Sequence, residues 1–153
     1  VQRRNPLVVN VNFQNETMVQ NQQGSEWYAN EAELRGANGK VPLKEKVKEF
    51  VLNTTNSQML PELEEMDFGP PIGIVPITSS HVVSIQNDAS TSYKVYIAVQ
   101  NEVVRAYNEL REEGARRYFS ISYADLTEDQ QKQINDLYPQ RISEAEPKNY
   151  GGQ

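Results

Sequence analysis

His81 is the only histidine in the chain, and it directly follows two hydroxyls, Ser79 and Ser80. A hydroxyl beside an imidazole is the minimum for nucleophilic catalysis, because the imidazole takes the proton that frees the oxygen to attack. With a single histidine, any Ser-His-Asp arrangement depends on His81 alone, and a multi-histidine metal site is excluded. Ser79 and Ser80 read more simply as loop residues leading into a strand. The other pair that could do chemistry is Glu144 and Glu146, two positions apart and therefore on one face of a strand, the minimum for carboxylate acid–base hydrolysis. Acids near a chain end are ordinarily just solvated, so a hydrolase built on Glu144 and Glu146 is the weakest of the functional readings. There is no cysteine, which removes disulfides, thiolate nucleophiles and cysteine-based zinc sites. No Walker loop, dinucleotide fingerprint or EF-hand loop occurs, and the glycines of "FGPPIGIV" lack the spacing for phosphate. The sequons at Asn15 and Asn53 matter only in a eukaryotic secretory setting. No catalytic, cofactor-binding or metal-binding residue is assigned, and the chain reads as a binding protein rather than an enzyme.

The composition narrows the partners. With 21 acidic and 15 basic residues the net charge is −6, and the basic residues are dispersed, so neither nucleic acid nor an anionic membrane surface gains from counterion release. At 153 residues, 37% hydrophobic, the chain supports one real core with polar margins. The expected organisation is a single domain over residues 1–148, with an insertion loop and edge strand over 54–80 and a disordered tail at 149–153. No apolar run reaches the length of a bilayer span. Beginning at Val1 with no apolar leader, the sequence reads as a fragment whose natural N-terminus lies upstream.

The elements that must position any site follow from periodicity. "LVVNVNF" puts Leu7, Val9, Val11 and Phe13 on one face of a strand, and "NETMVQN" reads as either its short hairpin partner or a continuation of it. Residues 20–39 read as loop with one short strand near Trp27 and Tyr28. "VPLKEKVKEFVLN" predicts a short helix starting at Pro42, with Leu43, Val47, Phe50 and Val51 inward. The acidic, proline-rich run from Thr54 to Pro71 predicts an exposed loop. "IGIVPI", with Pro76 suited to an edge, and "HVVSIQ", with Val83 and Ile85 on one face, predict strands. "NDASTS" supplies turn and cap residues for a long helix over 92–119. Thr127 and Gln130 have capping-box spacing, Pro139 ends that helix, and "RISEAEP" offers a last short strand. The expected fold class is α+β: a small mixed sheet with two to three helices packed on one face.

The long helix carries an anomaly. At about 100° per residue, Val99, Leu110, Val103, Tyr96, Tyr107, Tyr118, Tyr93, Val104 and Ile97 share one broad apolar arc. Opposite lie Glu102, Arg105, Glu109, Glu112 and Arg116, with Glu112–Arg116 and Glu113–Arg117 spaced as i, i+4 pairs. Gln100 and Arg111 nevertheless project into the apolar arc. A buried amide or guanidinium costs several kcal/mol, roughly, unless it is hydrogen-bonded, so this line belongs at a core edge, in a polar network or at an interface. Tyrosine and arginine are favoured anchors of interfaces. The candidate partner or dimer surface is therefore Tyr93, Gln100, Tyr107 and Arg111, joined by Ile142 and Glu144 of the last strand.

The stretch "VSIQNDASTSYKVYIAVQNEVVRAYNELREEGARRYF", together with "LVVNVNF", "LTEDQQKQINDLYP" and "YPQRISEAEP", resembles the periplasmic domain of ExbD/TolR biopolymer-transport proteins in their longer Bacteroidetes form. The likeness runs over about residues 3–148 and is strongest from Val82 onward. It implies a subunit anchored in the bacterial inner membrane by one transmembrane helix outside this chain, with an α+β domain on the periplasmic side. It further implies a homodimer that works with ExbB-like and TonB-like proteins in a motor driven by the proton-motive force. The proton-carrying aspartate of such proteins lies in the transmembrane helix, so no acid of this chain inherits that role. The alternative implied function is a TolR-like envelope-integrity module that binds peptidoglycan. The acidic segment near Leu60–Pro71 and the helix around Thr127–Tyr138 depart from the shorter family members.

Overall fold

The computed structural model describes residues 4–21, 24–88 and 90–144, with the side chains of 24–29 outside that description. The strands are β1 (Pro6–Val11), β2 (Thr17–Asn21), β3 (Gly24–Ala29), β4 (Glu64–Asp67), β5 (Ile74–Ile77), β6 (Val82–Asn87) and β7 (Ile142–Glu144). The α-helices are α1 (Leu43–Leu52), α2 (Tyr93–Phe119) and α3 (Glu128–Leu137). A five-stranded mixed sheet runs in the order β3-β2-β1-β6-β7, and β4 with β5 forms a separate two-stranded ribbon. The chain is an α+β fold with one long helix.

Alternation decides the sheet. In β1 the odd residues Leu7, Val9 and Val11 are buried, and in β6 the matching pair is Val83 and Ile85. The two strands are parallel with Pro6 opposite Val82 and Val11 opposite Asn87, so these residues form one continuous apolar surface. Leu43, Val47, Phe50 and Val51 of α1 cover it together with Val95, Val99, Val103, Ala106 and Leu110 of α2. Each fully buried aliphatic side chain contributes about 1.5–3 kcal/mol, and this layer of helix on sheet is the main core. Ion pairs lock the two helices outside it: Lys44 to Glu109 at 2.6 Å, and Lys48 to Glu113 at 2.7 Å.

Several local expectations change. Phe13 does not extend the strand face; it stands 65% exposed in a turn that Asn12 organises by accepting the N–H groups of Gln14 and Glu16. "EEMD" is a strand rather than loop, because β5 supplies the antiparallel partner from Glu64–Ile77 to Asp67–Ile74. Gln133 of α3 holds the ribbon's turn by donating to the carbonyls of Phe68 (2.7 Å) and Pro70 (3.3 Å). The buried face of α2 is rotated from the expected arc: Tyr93 is 77% exposed, whereas Glu102 is only 3% exposed. Glu102 is covered because Arg35 (3.4 Å) and Arg105 (3.2 Å) close over its carboxylate. Of the two expected i, i+4 pairs on α2, Glu112–Arg116 forms at 2.8 Å, while Glu113 turns to Lys48 instead of Arg117.

The capping box forms as read, with Thr127 accepting from Gln130 N and Gln130 accepting from Thr127 N. Beneath α3 a second cluster gathers Ile72, Ile77, Ala115, Leu126, Ile134 and Leu137. The tail at 149–153 and Glu146 lie outside the described residues.

Candidate functional site

Tyr96, Gln100, Tyr107 and Arg111 follow one line along α2, because spacings of 4, 7 and 4 return to the same helical face. That face receives the chain between Tyr138 and Glu144. Glu144 accepts from the Tyr96 hydroxyl at 2.6 Å and from the Gln100 amide at 2.5 Å, both through one carboxylate oxygen. Arg111 donates through Nη2 (3.0 Å) and Nε (3.3 Å) to the Tyr138 carbonyl at the C-terminal end of α3. A cation there also meets the negative end of the helix dipole. The polar residues in the apolar arc are thus clamps that hold the last helix and strand onto α2. Burial, reinforced by the Glu144 carboxylate, pushes the Tyr96 phenol up to about 12, so it stays a donor across the ordinary pH range.

Between the clamps sits a buried polar network that the sequence did not reveal. His81 and Tyr107 are both 0% exposed. A carbonyl only accepts, so the 2.6 Å contact of His81 Nδ1 with the Thr78 carbonyl places the ring proton on Nδ1. Nε2 then accepts from the Tyr107 hydroxyl at 2.8 Å. Thr78 Oγ1 donates to the Val51 carbonyl, joining the end of α1 to the same network. Phe50 stands edge-on to the imidazole, with ring centres 6.3 Å apart. Burial first, and the nearby Arg141 guanidinium after it, hold the imidazole below its usual pKa, keeping it neutral. His81 therefore joins the ribbon-to-β6 loop to α1 and α2. Both of its ring nitrogens are engaged in the core, by the Thr78 carbonyl and the Tyr107 hydroxyl, so the imidazole holds these elements together.

The six candidate surface residues separate. Tyr93 and Glu144 are exposed, Gln100, Arg111 and Ile142 are half-buried, and Ile142 packs against the main core. Tyr107 is not a surface residue, because its ring fills the core and its hydroxyl serves His81. Burial pushes that hydroxyl above its ordinary value, beyond any working pH. Asn53 of the second sequon is also buried, its amide donating to the Pro61 carbonyl at 2.7 Å. What this face leaves open is an edge: β7 is parallel to β6 and carries no strand on its far side among the described residues. No family model, curated protein or solved structure matches the chain.

Proposed function

We propose that this chain is a protein-binding module, the periplasmic domain of an ExbD/TolR-like subunit that dimerises and engages a TonB-like partner to energise transport across the outer membrane. Support comes from one observation: two distant pieces of the sequence that carry the resemblance meet in space. Gln100 of "VQNE", with Tyr96 one turn before it, bonds to Glu144 of "RISEAEP". The side chains with chemical potential are engaged internally, His81 with Tyr107 and Thr78, and Glu102 between Arg35 and Arg105. β3 and β7 are the outer strands of the sheet, and neither has a further strand beside it among the described residues, which is the chemistry of strand addition by a partner.

The test is titration of the isotope-labelled chain with the periplasmic part of the cognate TonB-like protein, followed by NMR. Saturable shifts at β7 and along the exposed flank of α2 are expected. Absence of binding by both monomer and dimer overturns the assignment.

A further inference from the structure

Beyond the main core, the β4–β5 ribbon leans over the C-terminal half of α2 and leaves a half-open cleft of about 340 Å³. That volume falls within the roughly 300–1,000 Å³ of small-molecule sites, near its lower end. The floor is apolar, made by Leu52, Leu63, Val75, Ile77 and Leu137. Among the lining residues a single one is charged, Arg117. Its expected partner, Glu113, is bonded to Lys48 at 2.7 Å, and the guanidinium instead lies 5.9 Å from the centre of the Tyr118 ring. Tyr138 faces the same space. Its ring is seated so closely on α2 that a Cβ at Gly114 would come within 2.9 Å of it, so glycine is required there for the close approach. Burial pushes the Tyr138 phenol up to about 12, keeping it a neutral donor, and Arg117 stands near enough to oppose that rise.

An apolar pocket whose one charge is a guanidinium with no ion-pair partner among the described residues, flanked by two phenols, suits a ligand with a hydrocarbon body and one carboxylate. We propose that this cleft binds a small apolar monocarboxylic acid, its carboxylate on Arg117 and the Tyr118 and Tyr138 hydroxyls, its hydrocarbon on the aliphatic floor. An extended peptide fits less well. Pro76, which forms part of the cleft wall on β5, has no N–H to give to an added strand. This inference is independent of the TonB-like assignment.

The probe is 4-phenylbutyrate, titrated at millimolar concentration into the isotope-labelled chain, with 4-phenylbutyramide as the uncharged control. Expected are saturable shifts of Leu52, Val75 and Leu137, with binding of the amide weaker by about tenfold or more, the usual loss when a charge-assisted hydrogen bond is removed. Arg117→Gln, at an exposed position, leaves the fold intact and reduces acid binding to the level of the amide. Tyr118→Phe weakens acid binding and leaves the amide control nearly unchanged. Equal binding of acid and amide, insensitivity to Arg117→Gln, or shifts confined to other surfaces each overturn the proposal. Binding of the tripeptide Gly-Gly-Phe without binding of 4-phenylbutyrate overturns it in favour of a peptide site.

Discussion

The two apolar clusters hold different halves of α2 by different means. The N-terminal and central turns lie on the sheet and α1 through aliphatic side chains such as Val99, Val103 and Leu110, each at most 1% exposed. The C-terminal turns meet the ribbon and α3 through a smaller set, in which Ile72, Ile77 and Leu126 each remain 7% exposed and partly buried aromatics fill the margins. Side-chain-to-backbone bonds tie these elements together: Gln133 of α3 donates to the Phe68 carbonyl of the ribbon, and Arg111 of α2 donates to the Tyr138 carbonyl. A close-packed aliphatic layer is cooperative and closed to ligands. A layer finished by aromatics and side-chain-to-backbone bonds leaves space between elements, and the cleft at Arg117 lies in that layer. Stability and accessibility are thus divided along the length of one helix.

Core truncation probes this division most strongly. Leu110→Ala is expected to lower stability by about 3 kcal/mol or more in urea unfolding, with every element losing amide protection together. Ile72→Ala is expected to cost about 2 kcal/mol or less and to speed hydrogen exchange chiefly in the ribbon and α3. Equal loss of protection in β1 and β6 after Ile72→Ala would show the clusters to be one unit.

The next effect is set by pH. His81 is the only group whose ordinary pKa falls near 6.5, and burial lowers it in the folded state. Between 6.5 and the lower folded pKa, the unfolded chain binds the proton while the folded one does not, so stability falls as pH falls through this window. Above 6.5 the contribution is fully present. Unfolding free energies measured from pH 7.5 downward, at about half-unit steps, should show this slope, and His81→Gln should remove it. A parent profile that is flat below 6.5 refutes the neutral-imidazole network.

The smallest effect concerns the outer clamp. Glu144→Ala removes the acceptor shared by Tyr96 and Gln100, and at this exposed site the loss should be about 0.5–1 kcal/mol. Exchange of the β7 amides should quicken by about fivefold at most, with the main core unchanged. Global destabilisation would mean that β7 belongs to the main core rather than to its margin.

These residues also mark how far sequence reasoning reaches. β1, β6, α1 and the extent of α2 were legible because each buries one face with a period of its own. β4 was not, since "EEMD" is exposed throughout and exists as a strand only through its pairing with β5. Gln100 and Arg111 stood out as misfits, but their partners lie 44 and 27 residues away, so the sequence signalled that something was bound without saying what. Tyr107 was placed correctly on the apolar arc and then misread as surface, because its hydroxyl partner, His81, sits 26 residues earlier in a loop with no periodic signal. The cleft left no trace in periodicity, because its walls come from α1, the ribbon, α2 and α3, far apart in sequence, and its charge depends on Glu113 choosing Lys48 over Arg117.

The parallel arrangement of β1, β6 and β7 has a mechanical meaning. Pro6 lies level with Val82 at one pole of the sheet, while Glu144 lies level with Ile85 toward the other. A tension applied between the chain before β1 and the chain after β7 therefore runs along the strands. It loads both ladders in shear, with their hydrogen bonds stretched together, instead of unzipping them one by one from an end.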